Sequence, residues 1–390
     1  SRACLKIHSD NLHAPLCGIF APNSVSVARY ASFIGVKSPT NCDAQLAESN
    51  FQTRSRIPRN KAYRQEEYMR ELTVKAGESG QRLDKYLAKY LKEAPKSFLY
   101  KMLRKKNITL NGRKADGSEK LQAEDCVRLF LAEETLEKFM GTQTEAHTCS
   151  LDVIYEDDHV LFINKPVGML SQKADKKDIS LVEYLTGYLL EKGALTREDL
   201  LTFHPSVCNR LDRNTSGIVA AGKTMAGLQT LSGAFKDRSL HKYYLALAAG
   251  RVEHPSYIKG YLWKNERTNK VTVTREPKKD ALPIETRMRP LSYSGTGDCT
   301  LLEVELLTGR THQIRSHLAS IGHPIIGDAK YGSREVNEAY RKKYRVTSQL
   351  LHAWRIEMPS FEGELSYLSG LKLTAELPAL FKKVIKGEKL

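Results

Sequence analysis

The chain has 390 residues, with 61 Lys+Arg against 45 Asp+Glu and a formal net charge of +16. Hydrophobic residues make up 41% and charged residues 27%, a globular balance, and at roughly 100–200 residues per domain the length predicts two or three domains. No run of 18 apolar residues occurs, and no basic start leads into a short apolar core and a small-residue cleavage site, so the sequence predicts neither a membrane-spanning helix nor secretion. Seven cysteines, without a Cys-x-x-Cys pair, read as neither a disulfide framework nor a zinc site and fit a reducing cytosol. The cationic surplus favours a polyanion as partner, with nucleic acid first among them.

Residues 1–68 hold nine basic and five acidic residues and three of the cysteines, Cys4, Cys17 and Cys42. They show no sustained period of 2 or 3.6, and too little patterned apolar surface to offset the entropy of ordering them. The first Met is Met69, and Gln65-Glu66-Glu67 before it has codons that can spell a purine-rich ribosome-binding sequence. The expectation is that 1–68 is an upstream, non-native or disordered extension and that Met69 is the natural start. A disordered basic RNA-binding tail is the alternative.

From Met69 the pattern becomes regular. Glu71 to Ala76 is a short strand candidate, and Leu83, Tyr86, Leu87, Tyr90 and Leu91 then recur at helical spacing. Ser97 is the expected cap of a second helix with Phe98, Leu99, Met102 and Leu103 on its apolar face. Its polar positions are basic: Lys101, Arg104, Lys105 and Lys106. Ile108-Thr109-Leu110, an Asn111-Gly112 turn signal and an alternating strand with Val127, Leu129 and Leu131 complete a small module at 69–135. Residues 136–150, polar and without a period, are expected to be a linker.

Residues 151–390 alternate strands and helices. Val160 to Ile163 is a buried strand that stops at Asn164-Lys165-Pro166; Leu302, Val304 and Leu306 alternate with Glu303 and Glu305; Ile314, His317, Leu318 and Ile321 return to helical spacing. Uneven loops and few clean βαβ units predict an α+β fold with a mixed or antiparallel sheet.

Gly217-Ile-Val-Ala-Ala-Gly222-Lys223-Thr224 fits the phosphate-loop pattern G-x-x-x-x-G-K-[ST] letter for letter. A phosphate-cradling loop needs an apolar strand before it and an open, solvent-facing interior. Here polar Asn214-Thr215-Ser216 comes first and the interior is apolar, so Ile218 to Ala221 reads as a buried strand and nucleotide binding is the minor alternative. His312 and His317, five apart, miss the one-face spacing of a helical metal pair; structural or RNA-contacting roles are expected for both.

Arg210-Leu211-Asp212-Arg213-Asn214-Thr215-Ser216-Gly217 places an acid between two arginines. Such an Asp is either a salt-bridged surface residue or a carboxylate kept ionised beside a polyanion, poised as nucleophile or base. Leu307-Thr308-Gly309-Arg310-Thr311-His312-Gln313-Ile314-Arg315 is a strand end, a turn and a helix start, where amide N–H groups and two arginines make an anion-friendly corner.

With Ile163-Asn164-Lys165-Pro166-Val167-Gly168, Lys242-x-Tyr244 and Gly322-His323-Pro324-Ile325-Ile326-Gly327-Asp328, these segments form an ordered series of five motifs. From about Met69 onward the chain resembles the Rlu-type (ribosomal large subunit) pseudouridine synthases. Residues 69–135 resemble the small RNA-binding module, named after a small-subunit ribosomal protein, often found ahead of that catalytic domain. Asn209 stands where the family usually has His before Arg-Leu-Asp. The resemblance implies an isomerase that converts uridine to pseudouridine, most of all in 23S ribosomal RNA or its precursor, with transfer RNA as the alternative substrate. It implies Asp212 as catalytic carboxylate, Arg315 as its partner, Tyr244 as base-stacking residue and later proton acceptor, and Arg210 as a holder of the flipped-out nucleotide. Arg213, Lys165, Arg310 and His312 would add substrate contacts, and Lys101, Arg104 and Lys105 would bind RNA from the small module. No metal or other cofactor is implied, and a cytoplasmic monomer is expected.

Overall fold

A computed structural model describes residues 69–141, 146–265 and 270–390. The expectation about residues 1–68 lies outside them.

The N-terminal part of the described chain is a four-stranded antiparallel sheet of β1 (Met69–Thr73), β2 (Ile108–Leu110), β3 (Arg113–Lys114) and β4 (Cys126–Phe130), in the order β1-β4-β2-β3. Helices α1 (Leu83–Tyr90) and α2 (Lys96–Arg104) pack on it. Leu83, Tyr86, Leu87 and Tyr90 recur at i, i+3, i+4 and i+7 and are all buried, the apolar stripe that makes an amphipathic helix dock. Leu99, Met102 and Leu103 do the same on α2, against Ile108, Val127 and Leu129.

Two expectations need correction here. The cap of α2 is Pro95, in extended conformation, and Ser97 lies inside the first turn; a proline costs nothing there because its missing amide has no partner to lose. Part of the expected linker is helix α3 (Glu133–Met140). Leu136 of α3 is buried in the module core, and Phe139 packs on Phe98 with ring centroids 4.7 Å apart. A helix of barely two turns carries too few apolar positions for its period to stand out.

The single turn at Ala76–Glu78 ties this module to the larger body: buried Glu78 accepts a hydrogen bond from Thr202, and Lys75 pairs with Asp199.

The rest of the chain builds one mixed sheet. In chain order it supplies β5 (Val153–Glu156), β6 (Val160–Lys165), α4 (Leu181–Glu191), β7 (Ser206–Val207), β8 (Ser216–Gly222), α5 (Met225–Asp237), β9 (His241–Ala249), β10 (Ser256–Asn265), β11 (Lys270–Thr274), β12 (Leu282–Tyr293) and β13 (Cys299–Leu306). Then come α6 (Gln313–Ser320), α7 (Arg334–Tyr344), β14 (Leu351–Glu357), β15 (Lys372–Thr374) and α8 (Ala379–Glu388). The strand order is β11-β10-β12-β13-β9-β14-β8-β6-β5, with β15 on β14 and β7 on β8. All these pairs are antiparallel except β14 with β8. The fold is α+β with a mixed sheet.

β14, late in the chain, joins the β5–β8 half of the sheet to the β9–β13 half. Its approach to β8 depends on Gly217, whose φ is +111° and whose Cβ, if present, would lie 2.2 Å from the carbonyl oxygen of Ala353. No other residue tolerates both conditions.

The phosphate-loop pattern dissolves in this context. Every residue of β8 is buried. A Cβ on Gly222 would meet the backbone of Leu228 at 2.5 Å, so that glycine serves helix packing. Lys223 spends its ammonium on Glu156, at 2.9 Å, and on the carbonyl of Asp157, while Thr224 caps α5 by accepting from the Gly227 amide. Among the described residues no helix is long and apolar enough to cross a membrane.

Candidate active site

Asp212 sits in the short turn between β7 and β8, and the turn is pinned on every side. Asn209 accepts from the Ala220 amide at 2.8 Å and donates to the Ile218 carbonyl, so it fastens the segment to β8. Ser171 accepts from the Leu211 amide and donates to its carbonyl. The Arg213 carbonyl receives the Gly168 amide at 2.9 Å and the Lys165 ammonium at 3.2 Å. Two residues before Asp212 and one after it are therefore fixed, which is how a carboxylate is held in one orientation.

Arg315, on the first turn of α6, donates from Nη1 to Asp212 at 2.8 Å. Its Nε and Nη2 donate to the two oxygens of Asp328, at 2.7 and 3.0 Å. Asp328 is fully buried and also accepts the amides of Lys330 and Tyr331. Burial works against the charges of both residues, but their mutual hydrogen bonds outweigh it: the Arg315 guanidinium is held above its usual range and the Asp328 carboxyl below its own. The bidentate fork fixes the plane of the guanidinium and leaves Nη1 to donate to Asp212.

Tyr244 on β9 lines the same cavity and is nearly buried, so burial, with the Asp212 charge adding to it, pushes its phenol well above the usual tyrosine range. It is a neutral ring next to the carboxylate. His312, which begins α6 in a left-handed conformation, lies 3.9 Å from Asp212, and its Nδ1 meets the Tyr331 hydroxyl at 3.0 Å. Burial lowers the pKa of His312, with Asp212 opposing.

These groups share one cavity of about 550 Å³, which also takes in Arg210, Arg310, Lys236, Arg238 and Lys242. Its wall is cationic and its floor holds the Asp212–Arg315 pair. The Nε of Arg310 is buried with no hydrogen-bond partner among the described residues, a donor free for a ligand.

The structure thus brings Asp212, Tyr244, Arg315, Arg210, Arg310 and His312 together. Lys165 departs from its expected role as a substrate contact. It is fully buried, and its ammonium donates to the carbonyls of Pro166, Met169 and Arg213; burial brings its pKa down to about 8, against the pull of Asp212. Arg213 is exposed, with Nε on the Gly168 carbonyl, and does not line the cavity. Lys101, Arg104 and Lys105 stand exposed around the end of α2, outside the cavity. Asp328, which orients Arg315, had no role in the sequence expectations although it closes the Gly322–Asp328 motif; an acid ending a Gly-Asp turn was the available signal.

The arrangement suits chemistry at a flipped-out nucleoside: an oriented carboxylate for the sugar, an aromatic ring for the base and cations for the phosphates. The RNA pseudouridylate synthase family matches residues 159–320, a span that holds Asp212, Tyr244 and Arg315. A family of unknown function matches residues 5–64. The Vibrio cholerae protein called ribosomal large subunit pseudouridine synthase C is 32% identical over 309 residues, 76% of this chain and 92% of its own length. The protein of the same name from Escherichia coli is 31% identical over 315 residues, 75% of this chain and 93% of its own length.

Proposed function

Since the chain belongs to the Rlu-type family of RNA pseudouridine synthases, which are isomerases, we propose that it acts on uridines of large-subunit ribosomal RNA with Asp212 as the catalytic carboxylate. The observation that carries this reading is the Asp212–Arg315 pair at the floor of a cationic cavity beside Tyr244.

The reaction detaches uracil from C1′ of its ribose, turns the base and rejoins it through C5. Asp212 either attacks C1′ or removes a ribose proton as the C1′–N1 bond breaks, and both routes need an ionised, fixed carboxylate. Arg315 donates to it and holds its orientation. Tyr244 stacks on the base and takes part in the later removal of the C5 proton. Arg210 and Arg310 hold the extruded nucleotide, since a stacked base is out of reach. Atoms and electrons are conserved overall, so the isomerisation calls for no redox partner. Residues 69–135, with Lys101, Arg104 and Lys105 exposed, serve as a separate RNA-binding module. The reading carries with it a monomer working in the cytoplasm.

Mapping pseudouridines in ribosomal RNA from cells with and without the gene tests the substrate. Single-turnover assays on RNA from the deletion strain test the residue: Asp212→Asn is expected to bind RNA as the wild type does and to lose several orders of magnitude in rate. Appreciable turnover by Asp212→Asn, or a loss explained wholly by weaker binding, rejects Asp212.

A further inference from the structure

Lys242 lies on β9 two residues before Tyr244, so both side chains face the same side of the strand. Both line the cavity. Lys242 is only 9% exposed, yet its ammonium has no hydrogen bond or ion pair with any described residue. Its electrostatic neighbour is another cation, Arg238, which closes α5 in a left-handed conformation and is likewise unpaired. Burial, with Arg238 adding to it, pulls the Lys242 pKa below the usual lysine range.

The acids nearby are all committed elsewhere. Glu305 and Glu357 stand opposite Tyr243 and His241 in the sheet register, on the face away from Lys242. There they pair with Arg287 and His241, and with Arg355 and Lys372. Asp237 accepts from the amide and hydroxyl of Ser239 in its own turn. Asp212, which lines the same cavity, pairs with Arg315 at 2.8 Å.

An unpaired ammonium taken out of water is destabilising, and a second cation beside it makes it more so. A neutral uracil edge would leave both charges uncompensated. A phosphodiester, with a full negative charge and oxygens on more than one side, matches them. We propose that Lys242 and Arg238 form a binding site for a backbone phosphate of the RNA next to the uridine presented to Asp212. The site completes its charge balance only when RNA fills the cavity, and it sets which way the strand runs past Asp212. This rests on the assignment of Asp212 as the catalytic carboxylate.

The test uses the full chain, ribosomal RNA from the deletion strain and a uridine hexanucleotide as probes. Lys242→Met keeps the stem and removes the charge. It is expected to melt no lower than the wild type, to bind both probes about tenfold or more weakly, and to flatten the slope of log affinity against log salt by about 0.7, the share of one phosphate on a single strand. Lys242→Arg should retain most of the slope, and Arg238→Gln, an exposed change that leaves the fold intact, should lose a similar share. Unchanged slopes in folded Lys242→Met and in Arg238→Gln overturn the site. A lower rate at saturating RNA with unchanged affinity and slope also overturns it, because the ammonium then serves the base. If Lys242→Met does not fold, Arg238→Gln decides. A wild type that forms no pseudouridine in ribosomal RNA defeats the substrate assignment instead, and the hexanucleotide slopes still decide the phosphate site.

Discussion

The ammonium of Lys165 lies 3.2 Å from the carbonyl oxygen of Arg213, 48 residues further along the chain. With the carbonyls of Pro166 and Met169 on the same ammonium, it ties the end of β6 to the residue after Asp212.

Lys165→Met keeps the packing of the stem and removes the donor shared by three carbonyls. It is expected to lower unfolding free energy by about 1–3 kcal/mol and to slow single-turnover pseudouridine formation at least tenfold, with RNA affinity little changed. Chemical denaturation and rates at saturating RNA measure the two effects separately. A wild-type rate in the folded variant would show that Asp212 holds its place without this tie.

Asp328→Asn withdraws the charge that anchors Arg315 in the interior. Breaking a buried pair by altering one partner costs about 3–5 kcal/mol. The guanidinium, freed to turn, also leaves Asp212 without its fixed partner. Since the two acids work through one arginine, the rate of Asp212→Asn combined with Asp328→Asn should equal that of Asp212→Asn alone. Additive rate losses would mean that Asp328 affects the rate by a route independent of Asp212.

The basic end of α2 is expected to act on phosphates and not on chemistry. Replacing Lys101, Arg104 and Lys105 by Gln should flatten the salt dependence of RNA affinity by up to about 2–3 units and weaken different RNA sequences alike. The rate at saturating RNA should stay as it is. An unchanged salt slope would place this helix face in water only.

Two fully buried histidines are expected to weaken the fold in acid. Burial lowers both His317 and His352 to about 4 from the usual 6.5. Below pH 6.5 the unfolded chain takes up protons that the folded chain refuses, so stability is whole above about 6.5 and falls as pH drops toward 4, by several kcal/mol for the pair. Urea unfolding from pH 7.5 to 4.5 measures this. His352→Gln, which keeps a donor for the Ala375 carbonyl and an acceptor for Ser216, should flatten the curve in that window.

Sequence patterns exposed what is local. The stripe Leu83, Tyr86, Leu87, Tyr90 gives α1, and the alternation of Leu302, Val304 and Leu306 gives β13. The cluster Asp212, Tyr244, Arg315 was legible only through its resemblance to known enzymes, because nothing in the spacing of residues 212 and 315 says that they meet at 2.8 Å. The partners of charges were the hidden part. Lys165 reads as one cation among many until its three carbonyls are seen, and Asp328 reads as a turn acid until the fork of Arg315 closes on it. Burial of a charge is decided by tertiary packing, and composition carries no trace of it.

The placement of β14 between β8 and β9 has a consequence for synthesis. A chain emerging from the ribosome presents β8 and β9 long before residues 351–357 exist, so both halves of the sheet wait with an open edge. Unpaired edges recruit other strands. A product cut short ahead of Leu351 would retain Asp212, Tyr244 and Arg315 in its sequence and yet lack the strand that holds their two half-sheets together, which makes premature termination a route to aggregation and not to a smaller working enzyme.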